Sequence, residues 1–129
     1  MIVAATETAL SPTATTYAAC AANNIAVRAN GGKSINEVDG GVGNRAAFVG
    51  AGSPYDCCVA CITSADNCAG FVYLGIRGFE CELLQSGTCQ PGTSPGGLQF
   101  KTSPSDTGAG IPVGNGKCGV VTNAGPGTE

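Results

Sequence analysis

Glu80 and Glu82 stand two apart in the stretch Phe79-Glu-Cys-Glu-Leu-Leu84. On an extended strand that spacing puts two carboxylates about 6–7 Å apart on one face, within the broad range used by the acid and base of a glycoside hydrolase. Such chemistry also needs a cleft in which one carboxyl is held protonated. No neighbouring residue in the sequence would raise either pKa, so the pair reads as the solvated outer face of a strand, and a small carboxylate-only hydrolase ranks last among the readings. The chain contains no histidine, which removes Ser-His and Cys-His nucleophiles, imidazole metal ligands and histidine pH switching. The protein reads as non-enzymatic, with no cofactor.

Eight cysteines are the other reactive groups. Cys57-Cys58-x-x-Cys61 followed by Cys68 lacks the paired C-x-x-C knuckles of a zinc site, so disulfides are expected and no metal. An even count fits complete pairing, but eight cysteines allow on the order of a hundred connectivities and counting selects none of them. Two glycine motifs fail on context. Gly41-Val-Gly43-Asn-Arg-Ala46 has no surrounding βαβ unit, and Asn115-Gly116-Lys117-Cys118 has Ile111 where a P-loop needs its first glycine and Cys118 where it needs Ser or Thr. The remaining handles for a ligand are Tyr17, Tyr55 and Tyr73, with Arg77 at a hairpin tip beside Glu80 and Glu82.

The groups just named must be positioned by a small framework. At 129 residues there is room for one domain with tails. Charged residues make up 12%, aromatics 5%, and there are 21 glycines and 7 prolines, so the chain is loop-rich and its apolar core thin. Cross-links supply what such a core lacks, and their use favours an oxidising, extracellular compartment. A net charge of −3 and a pI near 4.7 argue against nucleic acid and anionic membranes. No apolar run approaches the ~20 residues of a membrane span. Ile2-Val-Ala-Ala5 is too short for a signal-peptide core, and the expectation is that Met1 stands in place of a cleaved leader.

Residues 1–16, with Thr6, Thr8, Ser11, Thr13, Thr15 and Thr16 around Pro12, read as a flexible tail that O-glycans would also suit. Residues 17–119 hold every cysteine and form the expected domain, and 120–129 read as a second flexible tail. Within the domain, 17–20 and 25–27 suggest short strands, while 29–52 is glycine-punctuated and expected to be irregular. Ser53-Pro54-Tyr55-Asp56 is a helix start, with Ser53 as cap, Pro54 in the first position and Asp56 completing the box, and it predicts a helix over 54–65. On it Cys57 and Cys61 share a face, while Cys58 is turned about 100° away, so the helix can be stapled on two sides. Cys68–Leu74 predicts a strand with Phe71 and Tyr73 on one side and Val72 and Leu74 on the other. Residues 75–78 read as a turn, and 79–84 as an antiparallel partner burying Phe79, Cys81 and Leu83. A short strand over 98–101 follows, then loop.

This order of features resembles the PAN/apple superfamily, in particular its small secreted fungal members: a helix with C-x-x-x-C (Cys57, Cys61), then Cys68-Ala-Gly-Phe71-Val-Tyr73 on a strand, then Cys81-Glu-Leu83 on the next. The resemblance implies an α+β fold, a small disulfide-rich domain in which one helix is packed across a curved antiparallel sheet. It implies the bridges Cys57–Cys81 and Cys61–Cys68 with an outer bridge Cys20–Cys118, leaving Cys58 to Cys89. It further implies a secreted recognition module at the cell wall or host apoplast, acting as an effector or as an elicitor of plant defence. Its partner would be an extracellular protein or glycan, bound by a monomer through Tyr55, Tyr73, Arg77, Glu80 and Glu82. A carbohydrate-binding cell-wall protein is the alternative. With neither tail carrying a cysteine or a periodic apolar face, removal of 1–16 and 121–129 is expected to leave the fold unchanged.

Overall fold

A computed structural model describes residues 18–21, 24–39, 45–64, 67–86, 98–116 and 121–127. After a 3-10 turn at Ala18–Cys20 come β1 (Arg28–Ala29), β2 (Lys33–Asp39) and β3 (Arg45–Val49). The helix α1 (Pro54–Ile62) precedes β4 (Cys68–Ile76), β5 (Phe79–Gln85), β6 (Gln99–Thr102), β7 (Val113–Asn115) and β8 (Thr122–Pro126). The strands form two four-stranded parts, ordered β3-β5-β4-β7 and β1-β2-β6-β8. An isolated bridge between Ala26 and Val113 joins them at one corner, so the whole sheet curls over on itself. The described residues thus form a small, disulfide-rich, strand-rich α+β domain with one helix.

The helix begins as its sequence dictates. Ser53 is the N-cap, its Oγ accepting from the Asp56 backbone N–H at 3.1 Å, and Pro54 opens the first turn. It stops at Ile62, three residues short of the expected 65, where the Thr63 N–H still reaches Val59 O and the Thr63 hydroxyl donates to the same carbonyl at 2.6 Å. Its buried side chains are Cys57, Cys58, Cys61 and Ile62. They pack with Phe71, Cys81 and Leu83 on one face of the β4–β5 hairpin. The opposite face, with Val72, Leu84 and Val113, meets Ile35, Leu98 and Phe100 of the second sheet part. The hairpin is therefore the middle of three layers. Gly114 belongs to this packing, since a Cβ there would run into the Phe71 ring.

Three bridges fix the helix. Cys57–Cys81 and Cys61–Cys68 join it to the hairpin with Cα separations of 5.4 Å each, in the pairing that the resemblance implies. The expected Cys20–Cys118 and Cys58–Cys89 bridges are replaced by Cys20–Cys58, Cα–Cα 5.6 Å. The reason is the angular offset of Cys58 on α1: it faces away from the Cys57–Cys61 stripe and toward the 3-10 turn, where Ala19 O lies 3.8 Å from its sulfur. Cys89 and Cys118 lie outside the described residues, among which no cysteine is free.

Several segments differ from the sequence expectation. Residues 29–52 hold β2 and β3 rather than irregular chain. A three-residue turn, Asn30 (φ 56°), Gly31 (83°) and Gly32 (87°), closes β1 onto β2, all three in the left-handed region that glycine and asparagine tolerate. The stretch expected as strand at 17–20 is the 3-10 turn in its described part, and Val113–Asn115 is a strand where loop was expected. The sheet is not wholly antiparallel either. β8 runs parallel to β6, with Thr122 N–H on Leu98 O and Gly127 N–H on Thr102 O. The segment read as a C-terminal tail is therefore woven into the sheet, and Val121, just ahead of it, is buried and donates to Asn115 Oδ1 at 2.7 Å.

Two outcomes follow. Deleting residues 121–129 removes a buried valine and the partner of a buried amide, so urea denaturation should show a loss of about 2–4 kcal/mol. By loop length, Cys20→Ser with Cys58→Ser should cost roughly 4 kcal/mol and Cys61→Ser with Cys68→Ser roughly 2.5, the order being read from melting temperatures, while non-reducing peptide mapping recovers 20–58, 57–81 and 61–68.

Candidate recognition surface

At the tip of the hairpin, β4 and β5 are joined by Arg77-Gly78, Gly78 taking φ 84°. A bulge between Tyr73 and Ile76, with Gly75 at φ 67°, carries β4 two residues further than the sequence suggested and makes Ile76 and Phe79 the closing pair. Phe79, expected in the core with Cys81 and Leu83, is 53% exposed, and Ile76 is 58% exposed. Phe79 closes the hairpin beside the Arg77-Gly78 turn, and its ring turns onto Phe48 instead of joining the core beneath α1. Phe48 of β3, 46% exposed, completes the cluster by meeting Phe79 edge to face, ring centroids 5.1 Å apart. Phe48, Ile76 and Phe79 are the large apolar side chains the described surface exposes, and Arg77 stands beside them in solvent.

The two glutamates are placed unequally. Glu80 accepts a hydrogen bond from the Gly78 backbone N–H, bracing the turn. Glu82 lies in register between Phe48 on one side and Val72 on the other, and burial among these neighbours pushes its carboxyl pKa up. The sequence expectation that no neighbour would raise either pKa is thus corrected for Glu82. The expected outer face is only half solvated, since both glutamates are partly buried.

The tyrosines separate from this cluster. Tyr55 lines an open concavity of about 640 Å³ together with Cys20, Ala21, Ile25, Val27, Pro54 and Pro112. Tyr73 packs half-buried against the helix-side core, its backbone N–H on Pro112 O at 2.9 Å. Arg77, Glu80 and Glu82 are thus brought together with Phe48, Ile76 and Phe79, whereas Tyr55 faces the concavity and Tyr73 lies between the two regions. Tyr17 is outside the described residues. Among the described residues no cluster of Cys, Asp and Glu could hold a metal ion, and no helix is long and apolar enough to cross a membrane.

Phe48, Ile76 and Phe79 were missed as contact residues because a phenylalanine in strict alternation with Cys81 and Leu83 reads as core. The signal that was present is the turn read at 75–78, which places Ile76 and Phe79 at the hairpin rim. No family model, curated protein or solved structure matches this chain. The three bridges among the described residues suggest an extracellular or secreted protein.

The pH dependence of Glu82 has a definite sign. Its pKa is higher folded than unfolded, so ionisation opposes folding: the favourable contribution is complete below the unfolded value and is lost as pH rises through the folded one. Glu82→Gln should therefore be more stable than the parent at pH 7 to 8, with the difference vanishing near pH 3, as read by urea unfolding at both ends.

Proposed function

We propose that this protein is a secreted, non-enzymatic recognition module of PAN/apple type that binds an extracellular protein at the cell wall or host apoplast, in the manner of a cysteine-rich fungal effector or elicitor. The observation that carries the protein-binding reading is the group of exposed apolar side chains Phe48, Ile76 and Phe79 around Arg77, held on a hairpin that is covalently tied to the helix. Contiguous large apolar residues with an arginine at their edge are the composition of a protein contact. The helix-to-hairpin bridges, paired as in the family that the motif resembles, support the PAN/apple assignment, and the host-interface role rests on that resemblance.

One observation favours the carbohydrate alternative: Tyr55 sits in an open concavity of ligand size. Its other lining residues offer almost no side-chain hydrogen-bonding groups, which suits an apolar group better than a sugar. The two readings part in experiment. Infiltrated into leaf tissue, the folded protein should elicit a defence response, and the pair Ile76→Thr with Phe79→Ser should lose it while staying folded, its melting temperature falling by only the few degrees that the lost Phe48–Phe79 ring contact accounts for. An undiminished response from that variant, or glycan-array binding that disappears in Tyr55→Ala, would turn the assignment toward the concavity.

A further inference from the structure

The strand β3 is the margin of its sheet part: β5 occupies one side, and along the other the backbone groups of Ala46–Val49 have no partner among the described residues. Sheet margins are usually blunted by lysine, proline or a covering segment, because an open row of N–H and C=O groups pairs with any extended chain. Ala46-Ala-Phe48-Val49 carries neither lysine nor proline, and Ala46 and Phe48 are exposed.

Side chains on this face specify what can lie there. Ala46 and Phe48 alternate small and large, so an added strand has room for a large apolar residue opposite Ala46. One step beyond Val49 in the same register, Gly50 lies opposite Glu80, and a Glu80 carboxylate oxygen comes within 3.6 Å of where a Gly50 side chain would begin. Glycine thus leaves a gap through which a long basic side chain on the added strand reaches that carboxylate, two strands away. A second copy of β3 does not meet this requirement, since the face of β3 that bears Phe48 holds Ala46, Phe48 and then Gly50, none of them basic.

We propose that β3 is a docking edge for an extended partner segment, added as an antiparallel strand with a large apolar residue opposite Ala46 and a lysine or arginine opposite Gly50. This inference rests on the protein-recognition reading above and names its mode: main-chain pairing supplies affinity, and the apolar and basic side chains supply selection.

The probe is the labelled peptide acetyl-Thr-Lys-Thr-Val-Thr-Ile-Thr-amide, whose Lys falls opposite Gly50 and whose Ile falls opposite Ala46, titrated by fluorescence anisotropy against the whole protein. Binding is expected, and replacing the probe's Lys by Glu should weaken it about tenfold, because a charge-assisted hydrogen bond to Glu80 gives way to repulsion. That preference should disappear in Glu80→Gln. Backbone N-methylation of alternate probe residues should abolish binding in one phase and leave it within about twofold in the other, since only every second N–H of an added strand faces β3. The proposal is overturned by absence of binding at millimolar peptide, by equal effects of the two N-methylation phases, by indifference to Lys or Glu, or by a dimer formed through β3 in the peptide's absence. Failure here leaves the hairpin-tip reading standing if Ile76→Thr with Phe79→Ser still loses the leaf response, so the two are judged separately.

Discussion

Everything in this fold hangs on the covalent clamp around α1. A nine-residue helix is too short to persist alone in water, because nucleation fixes several residues before propagation returns anything. Three of its nine residues are cysteines, and each is bonded to a different element: Cys58 to the 3-10 turn, Cys57 to β5 and Cys61 to the start of β4. Because the three leave the helix in different directions, they restrict its rotation as well as its distance from the sheet. A thin apolar core with Phe71 and Leu83 at its centre is then enough, since the cross-links have already removed much of the unfolded chain's freedom.

The clamp also explains why the hairpin can be buried on both sides. With its helix face sealed, the other face of β4 and β5 is free to take a second layer, and Val72, Leu84 and Val113 find Leu98, Phe100 and Val121 there. That layer is assembled from weak pieces: a two-residue strand, a bulged strand and a parallel strand of sequence Thr-Asn-Ala-Gly-Pro. None has the propensity to form alone. They pair because the apolar residues beside them are anchored on a face that is already fixed, which is tertiary context overriding local preference.

Legibility in the sequence follows this hierarchy. The helix start, the alternation of Phe71 and Tyr73 against Val72 and Leu74, and two of the three bridges could be read, because local chemistry and a spaced motif determine them. β2 was hidden because a bulge between Ile35 and Glu37 re-phases the strand, so that its core residues Ile35 and Val38 are three apart and the period of two is broken. β8 was hidden because asparagine, alanine, glycine and proline carry no strand signal, and β3 because its Phe48-Val49 pair is set between two alanines and a glycine-punctuated stretch. The Cys20–Cys58 bridge was missed because the family pattern, with Cys57 and Cys61 on its helix, has no counterpart for the vicinal Cys58. Of the candidate site, Arg77, Glu80 and Glu82 were legible from the turn between two strands. Their apolar companions were not, because alternation predicts which way a side chain points and not whether anything covers it.

An exposed apolar cluster persists only where the strands that carry it are held in place. An exposed phenylalanine pair is ordinarily a hazard in a loose hairpin, where fraying lets it collapse inward or recruit another chain. Here the hairpin cannot fray from its far end, because Cys68 is bonded to the helix at the base of β4 and Cys81 at the middle of β5. The bulge at Tyr73 to Ile76 and the glutamate braced on the turn hold the near end. Glu82 is the cost of the arrangement, a carboxylate set between Phe48 and Val72 where burial disfavours its charge. A purely structural strand would place an uncharged residue there. Keeping a charge beside an exposed apolar cluster hinders unspecific stacking of that cluster on other apolar surfaces, while a partner that brings a cation can satisfy it.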